Sequence, residues 1–248
     1  MSMKKKNGLV GRTGRFNSVA AKDTPFAYVE AFKSLRTNLG FLSKVSGVRS
    51  ILITSAHPEE SKSTTAINLA ITMASDGHSV VLVECDLRKP VLRRYLKREL
   101  GQAGLGSYLA GLVNLEDCIF DLPDLGISVI SAGVIPPNPA ELLNSPRMQE
   151  LVGILKENYD YVLLDAPPVT VVTDAAVVGP MTDGALLVVR SRFASARTIR
   201  QAKAKLEAVG IRILGGVLTR FNMRKSGWRS GYDYKHYEYG YGQGRGRR

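Results

Sequence analysis

Three short hydrophobic runs in this chain each end in polar, chemically capable residues, and that pattern constrains the fold more than any other feature. Residues 48–54 lead into Ser55, residues 79–84 lead through Glu84 into Cys85 and Asp86, and residues 161–165 end on Asp165. Helix-patterned segments separate the runs. Phe32, Leu35, Leu39 and Leu42 recur at helical spacing within 28–43, and further helices are expected at 63–75, 146–157 and 195–208. Additional strands are expected at 127–130, 185–189 and 213–218. Near-continuous apolar strands alternating with helices of 10–15 residues predict an α/β fold, a doubly wound and mostly parallel sheet covered on both faces. In such sheets ligands bind at the carboxyl ends of the strands.

Charge divides the chain into a core and two arms. The net charge is +12. Residues 1–22 contribute +6 and residues 220–248 another +6, so the segment between them is neutral. The expected organisation is a basic arm at 1–25, one globular domain at 26–222 and a tyrosine-rich basic tail at 223–248. Basic arms of this kind suit an anionic membrane surface or nucleic acid, or remain solvated. No run approaches the ~18 apolar residues of a membrane span, and Lys4, Lys5 and Lys6 precede no secretory apolar stretch. Cys85 and Cys118 are too few for a disulfide framework and read as buried thiols. His57, His78 and His236 show no metal-ligand spacing.

The segment from Ser55 to Thr64 lies between a strand and a helix, the setting of a phosphate-binding loop. Ala56 takes the first glycine position, and Glu59, Glu60 and Ser61 precede Lys62, Ser63 and Thr64. Lys62 is placed to reach the β- and γ-phosphates, and the Ser63 hydroxyl to hold Mg²⁺. Ser61 stands where glycine is favoured. A left-handed backbone at a non-glycine costs roughly 1–2 kcal/mol. Glu84 and Asp86 are two residues apart on an extended segment, so both carboxylates are expected to face the metal. Asp165 suits an acid that supports the metal, directly or through water.

Together these segments resemble the bacterial tyrosine kinases of capsule and exopolysaccharide synthesis, relatives of the deviant P-loop ATPases. The matching segments are Ser55 to Thr64, Glu84 to Asp86 and the strand ending at Asp165. Pro136-Pro137-Asn138-Pro139-Ala140-Glu141-Leu142-Leu143 and Asp165-Ala166-Pro167-Pro168-Val169 add to the likeness, which spans about residues 26–241. Two positions at the chemistry depart from it: Ser61 replaces a glycine, and Glu84 replaces the first aspartate of the second motif. The resemblance implies an ATP- and Mg²⁺-dependent kinase with Lys62, Glu84, Asp86 and Asp165 as catalytic residues. Ser63, Glu84, Asp86 and Asp165 would be the metal residues. Its phosphoacceptors would be Tyr232, Tyr234, Tyr237, Tyr239 and Tyr241, modified by a neighbouring subunit. Glu30, Lys33 and Arg36 correspond to a Glu-x-x-Arg-x-x-Arg subunit-contact helix, with lysine at the middle position. Implied partners are a membrane-anchored activator that regulates chain length, further copies of the chain in a ring, and a cognate tyrosine phosphatase. The implied location is the cytoplasm, with recruitment to the inner face of the plasma membrane.

The departures at Ser61 and Glu84 keep a second reading in view, a catalytically weak nucleotide-binding switch on the same fold. The tail offers a third. Its tyrosines interleave with arginine and glycine, a composition that also stacks on RNA and would make the chain a nucleic-acid-binding module.

Overall fold

The computed structural model describes residues 18–221. Seven strands form one sheet there: β1 (Ser50–Ser55), β2 (Val80–Glu84), β3 (Ile119–Leu122), β4 (Ile127–Ile130), β5 (Tyr161–Asp165), β6 (Gly184–Arg190) and β7 (Ile213–Thr219). Their order is β3-β4-β2-β5-β1-β6-β7. All neighbours pair in parallel except β3 and β4, which form an antiparallel hairpin at one edge. The three central strands β1, β2 and β5 are buried along their whole length, as their unbroken apolar runs require.

The helices are α1 (Phe26–Ser46), α2 (Lys62–Ala74), α3 (Leu92–Leu96), α4 (Leu105–Leu109), α5 (Pro139–Leu143), α6 (Pro146–Asn158), α7 (Asp174–Val178) and α8 (Ala196–Glu207). Two apolar clusters cover the sheet. In one, Phe32 and Leu39 of α1, Ile67 and Ile71 of α2 and Leu92 and Leu96 of α3 meet Ile51, Leu82 and Leu163. In the other, Met148, Leu151 and Leu155 of α6 and Ala202 and Leu206 of α8 meet Leu52, Val81 and Leu164. The sheet is therefore doubly wound, as the alternation predicts. Local chemistry sets the helix ends. Ser145 and Ser195 cap α6 and α8 by accepting from the backbone N–H groups of Met148 and Thr198. Gly47 ends α1 at φ 66°, a conformation that suits glycine. Among the described residues no helix is long and apolar enough to cross a membrane.

Three features go beyond the expectations. Within the arm expected at 1–25, residues 18–24 form hydrogen-bonded turns, and the Val19 N–H donates to Asn68 Oδ1 at 2.8 Å. The short β3 and the five-residue helices α3, α4, α5 and α7 carry too few residues to show a period. Finally, the charged face of α1 turns partly inward. Arg36 donates to the Thr72 carbonyl at 3.1 Å and pairs with Asp76 at 3.2 Å, which ties α1 to α2. Glu30 and Lys33 pair with each other at 2.7 Å. The five tail tyrosines lie outside the described residues.

Candidate active site

The phosphate loop bridges β1 and α2, and its backbone is unusual. Glu59 and Ser61 both lie in the left-handed region, at φ 64° and 71°. Ser61 thus adopts the conformation for which glycine is favoured. Several contacts hold the loop in place. The Ser55 hydroxyl donates to the His57 carbonyl at 2.7 Å, and the Val169 N–H donates to the Ser55 carbonyl at 3.0 Å. The Thr170 hydroxyl donates to the Ala56 carbonyl.

Glu60 is a strut inside the loop. It is buried, with Oε2 accepting from the His57 N–H at 2.7 Å and Oε1 from the Arg190 N–H at 3.2 Å. Its carbonyl accepts from the Thr219 hydroxyl at 2.9 Å. The loop is thereby joined to the ends of β6 and β7. Glu60 shapes the cradle, and its carboxylate is committed to those backbone donors. Ala56 is buried as well, and Glu59 is exposed.

Lys62 opens α2, and its ammonium sits between two acids. Nζ is 3.1 Å from Asp86 Oδ2, 3.3 Å from Asp165 Oδ1 and 3.3 Å from Ser63 Oγ. Burial opposes the lysine charge, but the facing Asp165 and Asp86 carboxylates outweigh it and raise the pKa. Asp165 has no exposed surface. Burial pushes its pKa up, while Lys62 and the Ser63 hydroxyl work in the opposite direction. Its Oδ2 is buried with no hydrogen-bond partner. A buried, unpartnered carboxylate oxygen costs about 1–3 kcal/mol. It fits a bound cation or its water shell.

The donor set suits magnesium. Asp86, Asp165 and the Ser63 hydroxyl offer hard oxygen atoms beside a helix N-terminus, where phosphate oxygens would supply the rest. Among the described residues no three His, Cys, Asp or Glu side chains gather to cage a metal on their own. Thr64 sits beside Ser63 in the first turn of α2, and its carbonyl accepts from Asn68.

Glu84 departs from expectation. Its Oε1 accepts from the N–H groups of Val91 at 2.5 Å and Leu92 at 2.8 Å, and Oε2 accepts from the Ala132 N–H at 3.1 Å. Both oxygens face backbone, so the carboxylate clamps the start of α3 and the end of β4 instead of joining Lys62. The reason is local. β2 stops at Glu84, and Asp86 lies in the loop beyond, where the two-residue strand period no longer applies. Asp86 Oδ1 accepts from the Lys89 N–H at 3.1 Å, which keeps Oδ2 toward Lys62. Sequence reasoning also missed Arg88, which forms a two-point pair with the fully buried Asp174 of α7 at 2.8 and 3.1 Å. An arginine two residues past Asp86 was the available signal, but its partner is 86 positions away. Cys85 is fully buried, and burial raises its thiol pKa well above the ordinary value, so it supplies no nucleophile.

Known proteins share this sequence and fold. A family profile described as an AAA domain matches residues 49–209. Tyrosine-protein kinase YwqD of Bacillus subtilis is 36% identical over 218 residues, 88% of this chain and 90% of that protein. The kinase domain of Escherichia coli tyrosine kinase ETK superposes with a TM-score of 0.77 at 32% identity, covering 88% of this chain and 86% of that one. The septum site-determining protein MinD of Pyrococcus horikoshii, complexed with Mg-ADP, superposes with a TM-score of 0.60 at 25% identity over 68% of this chain and 69% of that one. Identity of 36% across most of both chains, on a sheet shared with the kinase and MinD structures, shows the family: the chain belongs to the bacterial tyrosine-protein kinases, built on the P-loop ATPase fold.

Proposed function

We propose that this chain transfers the γ-phosphoryl group of ATP to tyrosines 232, 234, 237, 239 and 241 of a neighbouring copy, in control of capsular or exopolysaccharide synthesis. The observation that carries the reading is Lys62 at the start of α2, bracketed by Asp86 and Asp165. ATP would displace those lysine contacts, with Lys62 neutralising developing phosphate charge. Magnesium would supply electrostatic stabilisation of the phosphates, held by Ser63 with Asp86 and Asp165. Asp86, beside Lys62, accepts the tyrosine proton. Glu84 acts through the backbone it fixes.

The exit of the chain supports tail phosphorylation. Thr219 ends β7 and bonds the phosphate loop through the Glu60 carbonyl, so the described part of the chain ends two residues past a contact with the site. Tyr232 is eleven residues beyond Phe221. That span reaches at most ~36–40 Å when extended, enough to enter a neighbour's site. In this proposal a membrane-anchored activator recruits the chain to the cytoplasmic face of the plasma membrane, and a tyrosine phosphatase resets the tail. The ring contact uses the α1 face with Glu30 and Lys33, Arg36 serving from its place against α2.

The test is mass spectrometry of the full chain after incubation with ATP, Mg²⁺ and a cytoplasmic activator segment. We expect phosphotyrosine in the tail, and at least 100-fold less of it in Lys62→Met. Equal phosphorylation of that variant would remove this loop from the reaction. Mixing Lys62→Met with a chain truncated at residue 222 separates transfer between copies from transfer within one.

A further inference from the structure

The helix after the second motif carries a feature that catalysis does not use. Residues 88–98 contain six Lys or Arg: Arg88, Lys89, Arg93, Arg94, Lys97 and Arg98. In α3, Leu92 and Leu96 point into the core, while Arg93, Arg94, Lys97 and Arg98 are exposed. Those four cations and Glu99 line a depression of about 330 Å³. Acids only partly balance them. Arg93 pairs with Glu99 at 3.2 Å, and Arg98 pairs with Asp124. Among the described residues Arg94 and Lys97 have no acidic partner, and Arg94 instead lies over the Tyr95 ring at 5.2 Å. The scaffold beneath is firm, because Glu84 holds the N–H groups of Val91 and Leu92.

We propose that this depression is a docking site for phosphotyrosine, and that its occupant is the phosphorylated tail of this chain. The occupant rests on the tail-phosphorylation reading given above. Guanidinium groups match phosphate oxygens in two-point geometry, and three of the four lining cations are arginines. Charge makes the site sensitive to the state of the tail. Residues 222–248 carry seven Lys or Arg and two acids, a net +5 that the cationic depression repels. Five phosphates at about −1.5 to −2 each would bring the tail to about −2.5 to −5. Modification thus turns repulsion into attraction, and draws the tail away from the catalytic site onto α3.

An anionic membrane is the competing ligand, and the surface disfavours it. Membrane-lying helices insert an apolar face, whereas the leucines of α3 are spent on the core and no large hydrophobic side chain between residues 88 and 100 is exposed.

The experiment uses the full chain carrying Tyr-to-Phe changes at all five tail positions, so that its own tail cannot compete. Synthetic peptides of residues 229–243, with and without phosphate on the tyrosines, are titrated by fluorescence anisotropy. We expect the phosphopeptide to bind and the unmodified peptide to bind at least 10-fold more weakly. Arg94→Glu with Lys97→Glu should weaken phosphopeptide binding at least 10-fold while the thermal melt stays unchanged, since neither side chain is buried. Inorganic phosphate at millimolar concentration should compete. Phosphopeptide binding that is absent, or equal in the double variant, overturns the proposal. So does binding of phosphatidylserine vesicles that depends on Arg94 and Lys97 in the absence of any peptide binding. Because the phosphopeptide is made chemically, a failure of docking is distinct from a failure of the chain to phosphorylate itself.

Discussion

Glu84 and Asp165 end neighbouring strands in register with each other, and both are buried. Their carboxylates nonetheless have opposite fates. Glu84 is saturated by three backbone N–H groups from two different segments. Asp165 meets Lys62 with one oxygen and leaves the other unpartnered. A carboxylate, its burial and its strand position are therefore shared by an acid that holds the fold and an acid that is held ready for a ligand. What separates them is the supply of donors. Burial raises the pKa of both acids, but backbone donors offset part of that cost at Glu84, whereas the unpartnered oxygen of Asp165 leaves a cost that binding can remove.

The sharpest way to break this comparison is Asp165→Asn. We expect tail phosphorylation to fall about 100-fold or more, the usual scale for losing a preorganised electrostatic group. Stability should not fall with it. Burial raises the folded pKa of Asp165, so its ionised form costs stability at pH 7, and that cost disappears as the pH drops below the folded value. Asparagine removes the charge, and Lys62 keeps Asp86. Thermal melts at pH 7 check this. A variant that melts clearly below the parent would show that attraction to Lys62 outweighs the cost of burial.

Glu84→Gln should behave in the reverse way. The amide group replaces one acceptor with a donor facing backbone N–H groups, at a cost of about 1–3 kcal/mol. We expect a lower urea midpoint with an unchanged Mg²⁺ requirement for phosphorylation, and a lower maximal rate as the 85–92 segment loosens. An unchanged midpoint with a raised Mg²⁺ requirement would return Glu84 to the metal. Either outcome makes the contrast with Asp165 quantitative.

The same contrast explains what was legible beforehand. Apolar runs and helical periods placed β1, β2, β5, α2 and α6 closely, because long amphipathic or buried segments advertise their period. Lys62, Ser63 and Asp165 could be placed together because each sits at a strand end or helix start fixed by local sequence, and Asp86 because it follows two residues after the end of β2. The clamp at Glu84 could not be read: its donors on Val91, Leu92 and Ala132 are brought together only by the tertiary fold. The Glu60 strut and the Arg88–Asp174 pair were hidden for the same reason. Arg36 looked free for a partner because its acceptors, the Thr72 carbonyl and Asp76, belong to another helix.

A third acid extends the comparison to the opposite ends of the strands. Asp183 precedes β6 and accepts from the N–H groups of Arg49 and Ser50, the Ser50 hydroxyl and Lys156. Burial opposes its charge, but Lys156 and those backbone donors hold its carboxyl down at about 2. A lowered pKa means stability that is present above the unfolded value near 3.9 and lost as the pH falls toward 2. The site is partly open to solvent, so screening reduces its worth to about 1 kcal/mol. Urea unfolding of Asp183→Asn should show that deficit at pH 6 and little of it near pH 2.5. A deficit independent of pH would assign the effect to lost hydrogen-bond geometry instead of charge.

The smallest expected effect concerns the phosphate loop itself, where Glu59 and Ser61 share a left-handed backbone but not a position. Ser61 caps α2 next to Lys62, whereas Glu59 is exposed. Glycine at either place removes a local strain of roughly 1–2 kcal/mol. It also gives the unfolded chain more freedom, worth about 0.4–1 kcal/mol in the other direction. Ser61→Gly and Glu59→Gly should therefore stabilise by similar amounts, about 0 to 1.6 kcal/mol each. They should differ in ligand binding. Only Ser61 places a Cβ where the backbone must come close to phosphate, so Ser61→Gly should hold or tighten ATP affinity by calorimetric titration, while Glu59→Gly leaves it unchanged. Weaker ATP binding in Ser61→Gly, with normal binding in Glu59→Gly, would mean that the serine side chain contributes to the cradle and that this loop is built around it.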